Sequence, residues 1–334
     1  MYELLGICLV LAALLTINAF ASLAAAAAWR LLERPTRNFS ARARAEILFV
    51  IRISPAALAV VSVAAFLVPS FLAYEPYATT EVVSKKLAGL AIVSAVGVGF
   101  ALWRGVRSWW ATKTLLRKWL ATAEQIRLPR VGIPTFRIPH PFPIIAVVGT
   151  IRPHLFIARH VLQTLSNEEL IAAIAHECGH LAARDNLKRS VLRACRDALM
   201  IVPCGRSLDR AWAETAECAA DEHAAHKSPA TALDLASALV KIAKMVPAGS
   251  HAAMPVAAFL VGNEETRGVN ARVGRLLEIA STNNLSRAPY STLAKVFAIS
   301  SLSLLVVLSV MVASNAQVLM TVHSLIEHIV RVLS

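Results

Sequence analysis

His176, Glu177 and His180 stand in the run His-Glu-Cys-Gly-His. On an α-helix, residues four apart differ by about 40° around the axis and about 6 Å along it, so both imidazoles reach one ion from one face. Glu177 is turned about 100° from His176. That makes it a poor third ligand but places it to take a proton from a water the ion activates. This is the H-E-x-x-H pattern, and Zn2+ is the ion it suits. A catalytic zinc site needs a third protein ligand and an open position. Asp185 would lie about 180° from His176 on a continuous helix and is excluded as that ligand unless the helix breaks. A third His ten residues after the first is also missing, because that position is Asn186 and the bend glycine is Ala183. Downstream, Glu217 and Asp221 lie one turn apart. That spacing suits a carboxylate ligand and an acid that fixes the free nitrogen of a ligating His. Glu214 shares their face as a rival ligand. Cys178 and Cys218 leave a thiolate site chemically open, against which Cys178 is rotated away from both histidines. His223 and His226 read as solvated or lipid-proximal side chains.

These residues need two helices brought close together. Ser166, Asn167, Glu168 and Glu169 have the form of a capping box ahead of the apolar positions Leu170, Ile171, Ile174 and Ala175. A helix is therefore expected from Ser166 through His180 toward Leu199, before Pro203. A second, alanine-rich helix should run from about Leu208 to His226, its small residues allowing close approach to the first. Upstream, prolines from Pro129 to Pro143 forbid a helix. Ile144–Val148 and Leu155–Ala158 then read as a small hairpin whose exposed edge could accept an extended peptide as a strand.

The rest of the chain is too apolar for a soluble enzyme of 334 residues, with 57% hydrophobic and 16% charged residues and a mean hydropathy of +0.59. Four segments qualify as transmembrane helices: Leu4 to about Trp29, about Ile53 to Ala73, Leu87 to Trp103, and Val296 to about Ala313. The first is read as a retained anchor, since Glu3 replaces the basic start of a signal peptide and the apolar run is too long for one. Asn18 within it suits a helix–helix hydrogen bond. Arg30, Arg34, Arg37, Arg42 and Arg44 after the first span, and Arg104 to Lys118 after the third, put those loops in the cytoplasm and the N-terminus outside. The expected fold is mainly α, a polytopic membrane protein with four transmembrane helices and a cytoplasmic helical domain carrying the hairpin. Residues 1–110 would form the N-terminal membrane region, 111–290 the cytoplasmic domain, and 291–334 the fourth span with an amphipathic tail lying on the membrane. The net charge of +13 fits anionic lipid, and no direct nucleic-acid binding is expected. Five cysteines without a CxxC spacing argue against a disulfide framework.

The order of three spans, a hairpin, Leu165 to Leu170, His176 to His180, Arg184-Asp185-Asn186, Glu217 to Asp221 and a fourth span resembles the antirepressor membrane metallopeptidases of the Bla-regulator and Mec-regulator type. The zinc motif itself is shared with the HtpX and CaaX-prenyl-protease membrane peptidases. The resemblance covers about residues 1–315 and implies a zinc metalloendopeptidase of the gluzincin kind in the cell inner membrane, active on the cytoplasmic side. His176, His180 and Glu217 would be ligands, Glu177 the general base and Asp221 the support. The partners would be the bilayer and a protein or peptide substrate, in the antirepressor case a transcriptional repressor. The β-lactam-sensing members carry a large extracellular domain after the fourth span, so a sensor role is not expected of a sequence ending about 20 residues beyond it. Arg272 and Arg275, before the fourth span, are expected to face lipid or form salt bridges without a catalytic role. The competing expectations are an HtpX-like quality-control protease and a non-proteolytic signalling protein holding zinc structurally. A transporter is disfavoured because the spans hold almost no ionisable residues.

Overall fold

The computed structural model describes residues 2–76, 83–128, 131–150, 152–197, 205–226, 228–246, 265–282 and 314–333, with isolated positions between 300 and 312. It is mostly helical. Helix α1 (Tyr2–Leu32) is followed by α2 (Ala41–Ser62), which passes through a π-helical turn at Val63–Leu67 into α3 (Val68–Tyr74). Helix α4 (Lys85–Thr122) completes the apolar set. By length and composition α1, the run Ala41–Tyr74 and α4 are each able to cross a membrane. The fourth expected span, Val296 to Ala313, falls largely outside the described residues.

Two of the three run several turns beyond the spans expected of them. The second expected span begins at Ile53, but α2 starts at Ala41. The extra turns are docked: Glu46 and Arg52 are buried and pair with Lys188 at 2.7 Å and Asp209 at 2.9 Å, and the Ala41 N–H donates to Glu222 Oε2 at 3.1 Å. Helix α4 runs on past Trp103 to Thr122 and ends with Trp119 packed edge-on against Phe156, ring centroids 5.1 Å apart. The apolar helices are thus continuous with the elements that carry the motif.

Those elements are β1 (Glu124–Ile126), β2 (Thr135–Ile138), β3 (Ile145–Val148), β4 (His154–Ala158), α5 (Arg159–Thr164), α6 (Asn167–Ala183), α7 (Asp185–Asp197), α8 (Gly205–Ala225), α9 (Pro229–Met245) and α10 (Glu265–Thr282). The expected hairpin exists as β3–β4, with Val147 opposite Leu155. It is half of a four-stranded sheet in the order β1-β2-β4-β3, in which β2 runs parallel to β4. Pro134 and Pro139 forbid a helix yet leave four residues between them, enough for β2. Gly149 turns the hairpin at φ +108°, where a Cβ would lie 2.6 Å from the Arg152 carbonyl oxygen. Phe156, Ile157 and Ala158 are fully buried, and each large apolar side chain so placed contributes about 1.5–3 kcal/mol.

Helix α6 starts as its capping box dictates. Ser166 Oγ accepts from the Glu169 N–H at 3.2 Å, and Glu169 Oε2 accepts from the Ser166 N–H at 2.8 Å. The expected helix toward Leu199 does not continue unbroken. Arg184 takes left-handed angles, φ 55° and ψ 38°, and α7 begins after it; the expected end at Leu199 and Pro203 lies outside the described residues. A left-handed non-glycine residue costs about 1–2 kcal/mol. Helix α8 occupies the range expected of the second helix and passes α6 closely, since a Cβ on Gly179 would stand 3.1 Å from both Ala220 Cα and His223 Cβ. Gly179→Leu is therefore expected to wedge α6 from α8 and destabilise the protein by about 1–3 kcal/mol. A thermal melt in detergent checks this, and a wild-type Tm would remove the close-approach argument.

The C-terminal helix α11 (Ala316–Leu333) is amphipathic as expected. It packs against the apolar helices. Ile326 and Val330 pack with Leu5, Phe71 and Leu87, and Ser70 Oγ donates to the Leu319 carbonyl at 2.9 Å.

Candidate metal centre

Helix α6 presents His176 and His180 toward α8, and the close crossing at Gly179 brings Glu217 to them. His176 Nε2 and His180 Nε2 are 3.2 Å apart. Glu217 Oε2 lies 3.5 Å from His176 Nε2, and Glu217 Oε1 3.6 Å from His180 Nε2. Donors on a tetrahedron with bonds of about 2.0–2.2 Å are separated by about 3.3–3.6 Å; the two nitrogens are close to that spacing, each has a different oxygen of Glu217 near it, and one donor atom from each residue lies within 4.8 Å of the others, a donor triangle that one ion can bridge. Oε2 of Glu217 is also a buried oxygen that accepts no hydrogen bond. The three side chains form a group able to hold a metal ion.

The remaining nitrogens are held by acids. Asp221 Oδ1 lies 2.9 Å from His176 Nδ1, and Asp185 Oδ2 lies 2.7 Å from His180 Nδ1. An imidazole that donates from Nδ1 to a carboxylate keeps its Nε2 lone pair for an ion. Asp185 was excluded as a ligand on the premise of a continuous helix. The left-handed Arg184 breaks that premise and swings Asp185 back onto His180, as a partner of the imidazole, not as a member of the donor triangle. No glycine or proline marks the break in the sequence, so nothing local announced it. Asn186, the residue standing where a third His is missing, donates from Nδ2 to the carbonyls of Val147 at 3.0 Å and Gly149 at 3.3 Å.

Glu177 is buried beside the triangle and accepts the Val147 N–H through Oε2 at 3.2 Å. Burial, with Glu217 nearby, pushes its carboxyl above the ordinary range against the pull of the two histidines. The outward backbone groups of Val147 are therefore both engaged, the N–H by Glu177 and the C=O by Asn186. The free hairpin edge expected for a substrate strand is already bonded at that residue.

Arginines complete the site. Arg272 on α10 was expected to face lipid or form a salt bridge. It is largely buried and holds Asp221 with two hydrogen bonds, Nε to Oδ2 at 2.8 Å and Nη2 to Oδ1 at 2.6 Å, with Nη1 3.3 Å from Glu217 Oε2. Arg275 pairs with Glu222. Arg189 on α7, which the sequence did not single out, donates to Glu217 Oε1 at 3.0 Å. Burial works to raise the Glu217 carboxyl, but His180, His176 and Arg272 outweigh it and hold it well below the usual range. Conversely, burial works to lower the His180 pKa, yet Glu217 and Asp185 push it up to about 10. Carboxylates that favour positive charge on this imidazole equally favour a cation beside it. Glu214 stays outside the triangle and lines a separate cavity with Cys218. Cys178 packs against the apolar core.

The model of peptidase family M48 matches residues 147–211. The match opens on β3 and takes in His176 to His180 and Asp185, and it points to a metallopeptidase. It ends before Glu217 and Asp221, so these two join the site through its geometry alone. No curated protein and no solved structure matches the chain.

If the two acids hold the imidazoles for an ion, Asp185→Asn and Asp221→Asn should each weaken zinc binding by about 10–100-fold. Titration against a competing chelator measures this. Asp221→Asn should also lower Tm, because the largely buried Arg272 loses the carboxylate that accepts two of its hydrogen bonds. Unchanged affinity in both variants would reduce these acids to packing.

Proposed function

We propose that the chain is a membrane-anchored zinc metalloendopeptidase. The carrying observation is the convergence of His176, His180 and Glu217: the two Nε2 atoms are 3.2 Å apart, one lies 3.5 Å and the other 3.6 Å from an oxygen of Glu217, and both Nδ1 atoms are held by carboxylates. In this reading His176, His180 and Glu217 are the ligands, and Asp221 and Asp185 fix their imidazoles. Bound there, zinc would supply Lewis acidity toward the scissile carbonyl and the attacking water. Glu177 takes the proton from that water and returns it to the leaving amine, a role that its burial favours by making the carboxylate more basic. Asn186 and Glu177 together tie β3 to the site, so a substrate strand pairing at Val147 would have to displace Glu177 from its N–H.

The arginine distribution supports an N-terminus outside and the metal centre on the cytoplasmic side of the cell inner membrane. The substrate is then a cytoplasmic protein or a cytoplasmic stretch of a membrane protein. Regulatory proteolysis, with a transcriptional repressor as substrate, and quality control of membrane proteins make different fragments. N-terminal peptide profiling of membranes containing wild-type or Glu177→Gln protein tests the reading. Neo-termini unique to wild type are expected: a few discrete cuts for regulation, many scattered ones for quality control. Identical profiles would contradict the peptidase assignment.

A further inference from the structure

A cavity of about 530 Å³ lies between the end of α1, the start of α2, α8 and α10, within the size range of small-ligand sites. None of the donor triangle lines it. Arg30, Arg37, Arg44 and Arg275 face it, against Glu33 and Glu214, a surplus of two positive charges. Two of these cations are compensated, Arg37 by Glu33 at 3.6 Å and Arg275 by Glu222. Among the described residues Arg30 and Arg44 have no carboxylate partner. The Nε of Arg44 is buried without an acceptor, and its guanidinium rests over Trp29, 5.5 Å from the ring centroid.

The cavity is graded along the chain. Its lining on α1 starts at Ala26 and Trp29, inside a candidate span, and passes through Arg30 and Glu33 to Arg37 beyond the helix end. Just before it, Phe20 and Leu23 leave an apolar face exposed. A tryptophan and a group of arginines at the end of a span occupy the level of lipid headgroups. An uncompensated guanidinium pair there suits a phosphate oxyanion, and the apolar approach suits acyl chains. We propose that this cavity binds the phosphate headgroup of an anionic phospholipid, held between Arg30 and Arg44 with its chains along α1. The site adjoins the metal centre from behind: Cys218 in its lining follows Glu217, and Arg275 lies one turn from Arg272.

The test uses the full chain in neutral detergent, titrated with phosphatidylglycerol, phosphatidylcholine or inorganic phosphate. Tm and native mass spectrometry are the readouts. Phosphatidylglycerol should raise Tm saturably, with one lipid retained. Arg30→Gln with Arg44→Gln should weaken that binding about 30-fold, whereas Lys at both positions keeps most of it. Arg30→Gln alone, on an exposed residue, carries the test if the double variant is unstable, with about a fivefold loss expected. Arg104→Gln with Arg107→Gln, outside the cavity, should leave binding unchanged. An equal response to phosphatidylcholine, an equal loss in the Arg104/Arg107 variant, or protection by inorganic phosphate alone would overturn the proposal.

Discussion

A purified Glu177→Gln variant is expected to bind one zinc ion as tightly as the wild type while hydrolysing a peptide about 10²–10⁴-fold more slowly. Glutamine has the same shape, and its amide oxygen can still accept the Val147 N–H that Glu177 accepts at 3.2 Å. The fold around β3 and α6 should therefore persist. What is lost is a buried base whose proton affinity its surroundings raise. A quenched-fluorescence peptide assay beside a metal determination separates the two effects. Wild-type turnover by the variant would remove the general-base role, and loss of zinc would show that Glu177 acts through the ion's binding instead.

The second large effect concerns Glu217. Replacing it with Ala should weaken zinc binding by at least about 100-fold, because the site loses a ligand and its only anionic donor together. Two guanidinium groups would remain where the carboxylate was, since Arg189 and Arg272 stand 3.0 and 3.3 Å from its oxygens. Positive charge left without its counter-ion repels a cation and is costly to bury. Both metal affinity and Tm should fall in Glu217→Ala, and Glu217→Gln should recover more Tm than metal. The check is zinc content after washing with a weak chelator. One equivalent of zinc surviving in Glu217→Ala would exclude this residue from the ligand set.

The parts of this site that were legible in the sequence are those set by local periodicity. The capping box at Ser166 and Glu169 forms, the two histidines share a face, and α8 lies where Ala-rich spacing put it, from Gly205 to Ala225. Gly179 and Ala220 are small for a reason that composition only hinted at, since they set the distance at which Glu217 meets the imidazoles. What was not legible depends on tertiary placement. The left-handed Arg184 breaks the helix and brings Asp185 to the Nδ1 of His180, a contact that a continuous helix would not allow, and no residue type marks it. Arg272 and Arg189 come from other helices, and only packing selects them over the many other arginines. Strands β1 and β2 are only three and four residues long, and β2 sits between Pro134 and Pro139, so they carry no alternation long enough to read. The apolar runs identified three helices able to cross a membrane, but not that α2 and α4 extend beyond their spans to dock on the elements holding the site.

Zinc-edge X-ray absorption on the purified protein tests the central claim most directly. Two imidazoles and a carboxylate should give only nitrogen and oxygen scatterers at about 2.0–2.2 Å, with the multiple scattering of two histidine rings. A sulfur shell at about 2.3 Å would move the ion onto Cys178 or Cys218 and contradict the account, as would a protein that takes up no zinc.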